Sequence, residues 1–220
     1  MWIIFDLDDT LVDTSGSITP VVLQRAFAAI QQAGGVFKNP EKAYRDLIAI
    51  NEQSISSRLA LASFSACYGI SKQDLERGIS ALSDSICWDL IAPVTGATKV
   101  LSRLAQTHQL ALVTRGKSDI QLKKMICAGI DPKLFQKCYF CPMTNKKKSY
   151  RKFALETAAS PNNIWVCGDR ISFDLTPAKE LGYHTVQLKW GRGRGNTGLK
   201  SDVDYTISYL EELETLIPTS

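Results

Sequence analysis

The residues best equipped for chemistry in this sequence are acids that directly follow short apolar runs. Asp6, Asp8 and Asp9 come after Trp-Ile-Ile-Phe, and Asp169 comes after Ile-Trp-Val-Cys-Gly, with Asp174 five residues further on. Polar residues often follow strands, so one such acid indicates little. Several of them in one chain indicate a site.

A hydroxyl group and a run of cations accompany these acids. Thr114 and Arg115 follow the apolar run Leu-Ala-Leu-Val. Three consecutive lysines occupy 146–148, immediately before Ser149, which we take as the N-cap of a helix. The chain therefore offers an alcohol donor and several ammonium groups that could bind an anion beside the acids.

This set of residue types favours phosphoryl transfer. Clustered carboxylates repel one another and favour a bound cation, and oxygen ligands without nearby histidine or cysteine suit Mg²⁺. An aspartate can attack phosphate to give an aspartyl-phosphate, and a second aspartate two residues away can protonate the leaving oxygen and then activate water. A threonine hydroxyl can donate a hydrogen bond to phosphate, and a lysine can balance the developing charge.

Alternating strands and helices must position these residues. The apolar runs predict buried strands at 2–5, 110–113, 164–167 and 185–188, with a further short strand at 139–140. Helical patterns lie between them at 98–107, 118–128, 149–159 and 176–181. This alternation predicts a Rossmann-like three-layer α/β fold with a parallel sheet, whose ligands bind beyond the carboxyl ends of the strands.

The segment after the first strand has a different character. From Thr19-Pro20 to about residue 90, caps and helical spacing predict successive helices without a convincing strand. We therefore predict an α/β core formed by residues 1–14 and 91–220. A small all-helical domain, residues 15–90, is inserted into it.

The composition is that of an ordinary globular protein. The 220 residues are 45% hydrophobic and 22% charged, and the net charge of +4 is too diffuse to indicate nucleic-acid binding. No segment approaches the roughly 20 apolar residues needed to span a membrane, and the N-terminus lacks the pattern of a signal peptide. We expect a cytoplasmic monomer or homodimer without nucleic-acid or membrane partners.

Two further motifs carry weaker signals. Cys138 and Cys141 form an isolated CxxC, but a zinc site usually needs a second pair of ligands, so free thiols are expected. The glycine-rich segment 191–198 lacks the ending of a phosphate-binding loop. We expect a mobile surface loop there, with substrate contacts from Arg192 and Arg194 as the alternative.

Three motifs together resemble those of the haloacid dehalogenase-like (HAD) hydrolases. The segment IIFDLDDTLVDT at 3–14 is similar to the first motif, LALVTRG at 110–116 to the second, and VCGDRISFDLTPAKELGYHTV at 166–186 to the fourth. The resemblance covers nearly the whole chain. The helical insert matches in position and character only, where it resembles the cap that closes over small substrates in this family.

The resemblance implies a role for each motif residue. Asp6 would be the nucleophile and Asp8 the general acid and base. Mg²⁺ would be bound by Asp6, by the main-chain carbonyl of Asp8 and by Asp169, while Asp174 would bind the metal through water or orient the lysine. Thr114 would bind the transferring phosphate.

The third motif of the family is a lone lysine, and its position here is less obvious. Lys148 stands just before Ser149 and is the expected catalytic and phosphate-binding lysine, with Lys147 as the alternative. Arg115 departs from the asparagine often found after the threonine. It would either bind an anionic substrate or have a structural role, and Asp9 is expected to be a loop residue.

The residue two positions after the nucleophile separates the reactions of this family. Haloacid dehalogenases have no acid there, and phosphonatases have a small residue. Asp8 favours a phosphate ester, because the leaving oxygen of an ester needs a proton. The resemblance therefore implies a Mg²⁺-dependent phosphatase acting on a small phosphorylated metabolite, with a sugar-phosphate mutase or a non-catalytic binding module as alternatives.

Overall fold

The protein folds into two compact units. The structure, a computed structural model, describes residues 1–84, 87–141, 146–195 and 198–218, with the main chain alone for 83 and 84. One unit is formed by Met1–Thr14 and Ile91–Ser220, and the other by Ser15–Leu90. The first unit contains every described strand.

Six described strands form one parallel sheet in the order β3-β2-β1-β4-β5-β6. Their bounds are β1 Trp2–Phe5, β2 Gln109–Arg115, β3 Phe135–Cys141, β4 Ile164–Gly168, β5 His184–Leu188 and β6 Tyr205–Ile207. The first strand of the chain therefore lies inside the sheet, between the second and fourth. The predicted α/β class and Rossmann-like sheet are confirmed, and β6 is an additional strand that the sequence patterns did not indicate.

Ten α-helices are described. They are α1 Thr14–Ser17, α2 Thr19–Ala33, α3 Pro40–Gln53, α4 Ser57–Tyr68, α5 Lys72–Asp84, α6 Ala97–Thr107, α7 Ser118–Cys127, α8 Lys146–Thr157, α9 Thr176–Lys179 and α10 Leu213–Leu216. A π-helical turn, Ile171–Leu175, connects β4 to α9. Within the described residues, no helix is both long enough and apolar enough to cross a membrane.

The central strands are buried because helices cover the sheet. Every residue of β4 is buried, as is β1 apart from Trp2, which explains why both read as uninterrupted apolar runs. On one face, Ile4 and Val166 pack with Tyr150 and Phe153 of α8. This packing fixes the level at which each strand ends, and with it the loops that follow.

The helical unit has its own apolar core. Phe27 of α2, Leu47 of α3 and Phe64 of α4 are buried together, and no strand occurs among its described residues. The side chains of Asn39 and Ser56 each accept a hydrogen bond from the main-chain N–H of the third residue of the following helix, at 2.9 and 3.3 Å. These caps begin α3 and α4 as polar residues before an apolar pattern are expected to do.

Candidate active site

Three neighbouring strands deliver polar residues to one edge of the sheet. Phe5 of β1 is level with Leu112 of β2 and with Cys167 of β4. Asp6, Thr114 and Asp169 each follow within two residues of that level, and all three are buried. The main-chain N–H of Asp6 donates to the carbonyl oxygen of Cys167 at 3.0 Å, so the start of the loop after β1 is bonded to the end of β4. The sheet thus places residues from distant parts of the chain side by side.

An acid pocket, defined here as Asp6, Asp169 and Asp174, lies at this edge. One carboxylate oxygen of each residue lies within 4.8 Å of the others. Gly168 makes the arrangement possible, because a Cβ at that position would lie 2.6 Å from the Cβ of Asp174. The main-chain N–H of Arg170 donates to the second carboxylate oxygen of Asp174 at 2.9 Å and fixes that side chain.

Lys146 is the lysine that the fold brings to the acid pocket. Its ammonium group lies 2.5 Å from Oδ1 of Asp6 and 2.6 Å from Oδ1 of Asp174, and its side chain is 1% exposed. The expected residue, Lys148, is exposed instead, and Lys147 forms an ion pair with Glu180. The placement expected for Lys148 is therefore wrong.

The position of the helix start explains this difference. The sequence pattern placed the beginning of the helix at Ser149, but α8 begins at Lys146. The first residue of the helix is the one beside the strand ends, whereas Lys148 lies two residues, or about 200°, further around the helix. Residues 142–145, which precede it, lie outside the described part of the chain.

Electrostatics distinguish the acid pocket from ordinary surface carboxylates. Burial, together with repulsion from Asp174 and Asp8, raises the pKa of Asp6 to about 7, although Lys146 opposes this shift. Burial and the charges of Asp174 and Asp6 also raise the pKa of Asp169 well above its usual range. Burial lowers the pKa of Lys146, but attraction to Asp174 and Asp6 outweighs it and raises the net value.

This donor set fits a divalent cation of the Mg²⁺ type. Among the described residues, the converging group consists of three carboxylates and contains no histidine or cysteine. Lys146 pairs with Asp6 and Asp174, and Arg170 lies 4.0 Å from Asp169, so cations compensate part of their charge. Burial is the main cause of the raised pKa of Asp6 and of Asp169, and repulsion among the acids adds to it. The side chain of Asp8 points elsewhere, so its expected place as a metal ligand concerns its main-chain carbonyl alone.

Asp8 has cationic and amide partners of its own. Lys124 Nζ lies 2.7 Å from Oδ1 of Asp8, and Gln121 Nε2 donates to Oδ2 at 3.1 Å. Burial raises the pKa of Asp8, but the charge and hydrogen bond of Lys124 and the hydrogen bond of Gln121 outweigh it and lower the net value. The sequence patterns did not single out either partner, because Gln121 and Lys124 lie with Ser118 on a polar helix face that resembles an ordinary exposed one.

Thr114 and Arg115 are the last two residues of β2. Thr114 Oγ1 accepts a hydrogen bond from Gln121 Nε2 at 2.7 Å, which leaves the hydroxyl proton available for an anion. The guanidinium of Arg115 stacks on the ring of Phe173 at 4.5 Å and borders a cleft of about 230 Å³ that Lys146 also lines. Arg115 is thus near the lysine of the acid pocket, whereas Thr114 is joined to Asp8 through Gln121.

The glycine-rich segment after β5 has a regular backbone where the structure describes it. Gly191–Arg194 forms a 3₁₀ turn, and Gly193 packs so closely that a Cβ there would lie 2.8 Å from the carbonyl oxygen of Asp169. Gly193 is therefore buried rather than at the surface, and the expected mobility of the loop stays a prediction. Burial lowers the pKa of Arg192, and the nearby Asp9 opposes the shift. Residues 196 and 197 lie outside the described residues.

Asp9 behaves as the loop residue that was expected. It has a left-handed backbone conformation, with φ of 59°, and its carboxylate accepts a hydrogen bond from Thr14 Oγ1 at 2.8 Å. The six cysteines are free, and Cys141 of the CxxC motif lies buried with its sulfur 3.0 Å from the hydroxyl of Ser149. Neither feature adds a reactive group to the acid pocket.

Comparison with known proteins agrees with this geometry. The family model described as haloacid dehalogenase-like hydrolase matches residues 3–188. The chain belongs to this family. The match begins one residue into β1 and ends at the last residue of β5, so it includes the acid pocket, Lys146 and Asp8.

Individual HAD relatives cover nearly the whole chain. A glyceraldehyde 3-phosphate phosphatase of Pyrococcus furiosus is 26% identical over an alignment of 224 positions, which covers 96% of this chain and 90% of the relative. One from Methanocaldococcus jannaschii is 26% identical over an alignment of 240 positions, which covers 98% of this chain and 96% of the relative. A HAD-like hydrolase structure from Streptococcus pneumoniae superimposes with a TM-score of 0.69 at 19% identity, covering 98% and 97%.

Proposed function

We propose that this HAD protein is a Mg²⁺-dependent phosphatase that hydrolyses a small phosphomonoester through an aspartyl-phosphate on Asp6. The observation that carries the proposal is the pair of aspartates on one loop with opposite surroundings. Asp6 lies in the acid pocket, and Asp8 lies outside it with Lys124. The roles follow from position: Asp6 lies among the converging acids beside Lys146, whereas Asp8 lies outside them, two residues further along the same loop.

The first step transfers the phosphoryl group to the protein. A carboxylate oxygen of Asp6 attacks phosphorus, and the bond between phosphorus and the ester oxygen breaks. Asp8 gives its proton to that leaving oxygen, so an alcohol departs rather than an alkoxide. The phosphate dianion brought beside Asp8 favours the protonated form of this carboxyl group before the transfer.

The second step regenerates the enzyme. Asp8, now ionised, takes a proton from water, and the water oxygen attacks the phosphorus atom. The bond to the Asp6 oxygen breaks, and inorganic phosphate leaves. Thr114 donates its hydroxyl proton to the phosphate, while the ammonium of Lys146 balances the charge that develops on the transferring group.

Asp6, Asp169 and the main-chain carbonyl of Asp8 would hold the metal. Asp174 would complete the site through water and through its contact with Lys146. When bound, Mg²⁺ neutralises phosphate oxygens and favours the ionised form of the nucleophile. The support is the convergence of three carboxylate oxygens within 4.8 Å.

The proposed substrate is a small phosphorylated metabolite of the triose phosphate class. Two relatives at 26% identity, each matched over most of its length, are named for activity on glyceraldehyde 3-phosphate. Arg115 would contact the anionic substrate from the end of β2, where its guanidinium borders the cleft beside Lys146. We assign the helical unit Ser15–Leu90 the role of the cap that selects the rest of the substrate.

Release of inorganic phosphate tests the proposal. Purified protein should release phosphate from glyceraldehyde 3-phosphate or a related small phosphomonoester in the presence of Mg²⁺, and EDTA should abolish the release. A panel of triose phosphates, sugar phosphates, nucleotides and phosphoglycolate would identify the preferred ester. Isomerised sugar phosphate without phosphate release would assign a mutase, and no turnover of any ester would contradict the proposal.

A further inference from the structure

Gln121 and Lys124 of α7 are polar side chains that contact Asp8 in the loop after β1. We propose that they form a clamp, defined as these two residues, that positions the carboxylate of Asp8 for proton transfer. The proposal rests on the function proposed above, because it gives Asp8 the task of moving protons. Neither clamp residue is expected to touch the transferring phosphorus, so both are positioning residues.

The clamp engages both oxygens of Asp8. Lys124 Nζ lies 2.7 Å from Oδ1, and Gln121 Nε2 lies 3.1 Å from Oδ2. A carboxylate held at one oxygen can still rotate about its Cβ–Cγ bond, whereas contacts at both oxygens fix its plane. Lys124 and Gln121 lie three residues apart on α7, a spacing that places them on the same face of the helix.

Gln121 is a buried polar side chain whose position is explained by its hydrogen bonds rather than by apolar packing. Its residue is 1% exposed, and a buried amide is costly unless it is hydrogen-bonded. Its nitrogen donates to both Asp8 and Thr114, and an amide has two N–H groups for these two acceptors. The same side chain therefore links the proton carrier to the threonine that receives the phosphate.

Gly116 leaves the room that Gln121 occupies. A Cβ on Gly116 would lie 3.2 Å from the side-chain atoms of Gln121, and Gly116 has a left-handed φ of 136°. A side chain at position 116 would be strained and would also crowd the amide. The turn after β2 is thus shaped around the glutamine that contacts Asp8.

Orientation gives the clamp its expected effect on the reaction. Repulsion from the carboxylate of Asp6 and from an incoming phosphate dianion would turn the Asp8 carboxylate away from the leaving oxygen, and the two clamp contacts oppose that rotation. Without Lys124 and Gln121, the Asp8 side chain is free to turn toward water, since it is 35% exposed. Loss of the clamp should therefore slow the steps in which Asp8 moves a proton and spare the attack by Asp6.

The leaving group provides the test, because 4-nitrophenolate departs without a proton and an alkoxide does not. Lys124→Met and Gln121→Leu should lower kcat on glyceraldehyde 3-phosphate by about 10-fold to 100-fold, part of the range for a lost general acid. On 4-nitrophenyl phosphate under single turnover, the loss should stay within about threefold. Lys123→Met is the matched control, since Lys123 is exposed on the same helix and should leave both rates unchanged.

A double-mutant cycle separates positioning from general damage. In an Asp8→Asn background, Lys124→Met should cause less than about a twofold further loss, because the group it positions is already absent. Lys124→Arg, which keeps the charge, should restore part of the rate. Equal losses on both substrates, or full additivity with Asp8→Asn, would overturn the clamp.

A spectroscopic measurement tests the clamp without turnover. In ¹H–¹⁵N spectra, the side-chain amide of Gln121 should shift in Asp8→Asn and should not shift in Lys123→Met. An unshifted amide in Asp8→Asn would overturn the contact directly. A wild-type protein that hydrolyses no ester would contradict the proposed phosphatase activity. The amide shift would then test the contact between Gln121 and Asp8 independently of turnover.

Discussion

Asp6 and Asp8 are two residues apart on one loop, yet their carboxylates lie in opposite electrostatic surroundings. Burial and neighbouring acids raise the pKa of Asp6 to about 7, although Lys146 lies beside it. Lys124 and Gln121 lower the pKa of Asp8, whose side chain is 35% exposed. Asp6 shares Lys146 with a second acid, Asp174, whereas Asp8 pairs with Lys124. One short loop thus places the proposed nucleophile among competing acids and the proposed proton carrier beside a cation and an amide.

Replacing the proposed nucleophile should have the largest effect on activity. Asp6→Asn should lower kcat by at least about 10⁴-fold on every substrate, because no covalent intermediate can form. Phosphate release from both an alkyl and an aryl ester measures this. Thermal unfolding should show an intact fold, and a variant that keeps more than about 1% of its activity would contradict the role of Asp6.

Replacing Asp8 should lower the rate on an ester with a poor leaving group more than the rate on an ester with a good one. Asp8→Asn should lower kcat on glyceraldehyde 3-phosphate by about 10²-fold to 10⁴-fold, the usual contribution of general acid–base catalysis. The formation of the aspartyl-phosphate from 4-nitrophenyl phosphate should be affected much less, as single-turnover release of nitrophenolate would measure. Equal losses on the two esters would remove the distinction between Asp6 and Asp8.

Replacing Lys146, the lysine of the acid pocket, should have the next largest effect on activity. Lys146→Met should lower kcat by about 10²-fold to 10³-fold, since a buried donor to the transferring group is lost. Lys148→Met is the matched control, and as an exposed change it should alter the rate by no more than about twofold. The reverse pattern would restore Lys148 as the catalytic lysine.

Replacing Asp169 should weaken Mg²⁺ binding more than replacing Asp8 does. Asp169→Asn should raise the Mg²⁺ concentration needed for half-maximal activity by about 10-fold to 100-fold, the scale on which altered metal surroundings act. Titration of activity with Mg²⁺ after EDTA treatment measures this for both variants. Asp8→Asn should leave the midpoint nearly unchanged, because its side chain lies outside the acid pocket.

The smallest effect should be seen in stability without metal. Because the pKa of Asp6 rises from 3.8 to about 7 on folding, the folded state holds a proton that the unfolded state has lost between these values. The free energy of unfolding in EDTA should therefore fall as the pH rises from about 4 to about 7. Denaturant unfolding across this range measures it, and Mg²⁺ should stabilise the protein more at pH 8 than at pH 5.

Asp6→Asn provides the control for that pH dependence. The variant cannot ionise at this position, so the decline in stability should be smaller. The lowered pKa of Asp8 acts only below its ordinary value of 3.8 and does not interfere in this range. Burial lowers the pKa of His108, which makes stability rise with pH up to 6.5 in both proteins, so the test is the difference between them. An equal pH dependence in the wild type and in Asp6→Asn would contradict the electrostatic description of the acid pocket.

Much of this arrangement could be predicted from the sequence because buried parallel strands leave a strong pattern. The runs ending at Phe5 and Gly168 are uninterrupted apolar segments, and the acids follow where the strands end. The strand Tyr205–Ile207 could not be found this way, since it is short and buried only at Ile207. Its pairing with β5 depends on the completed sheet.

The missed site residues depend on tertiary packing or on an element boundary. Lys146 could be recognised only with the true start of α8, which lies three residues before the serine that looked like a cap. Gln121 and Lys124 contact Asp8 across more than 110 residues of sequence, at separations of 113 and 116. The sequence of α7 alone does not indicate which loop the helix packs against.

The wide separation of Asp6 and Lys146 has a consequence for the synthesis of the protein. The two residues lie 140 positions apart. At a translation rate of roughly 5–20 residues per second, the ribosome needs roughly 7–28 s to supply the lysine after the aspartate. The sheet neighbours of the first strand also come late, because β2 is complete only at Arg115 and β4 only at Gly168. A nascent chain therefore carries this apolar strand and its proposed nucleophile without a partner strand through about the first half of translation. Chaperones that bind short apolar segments have their longest opportunity there.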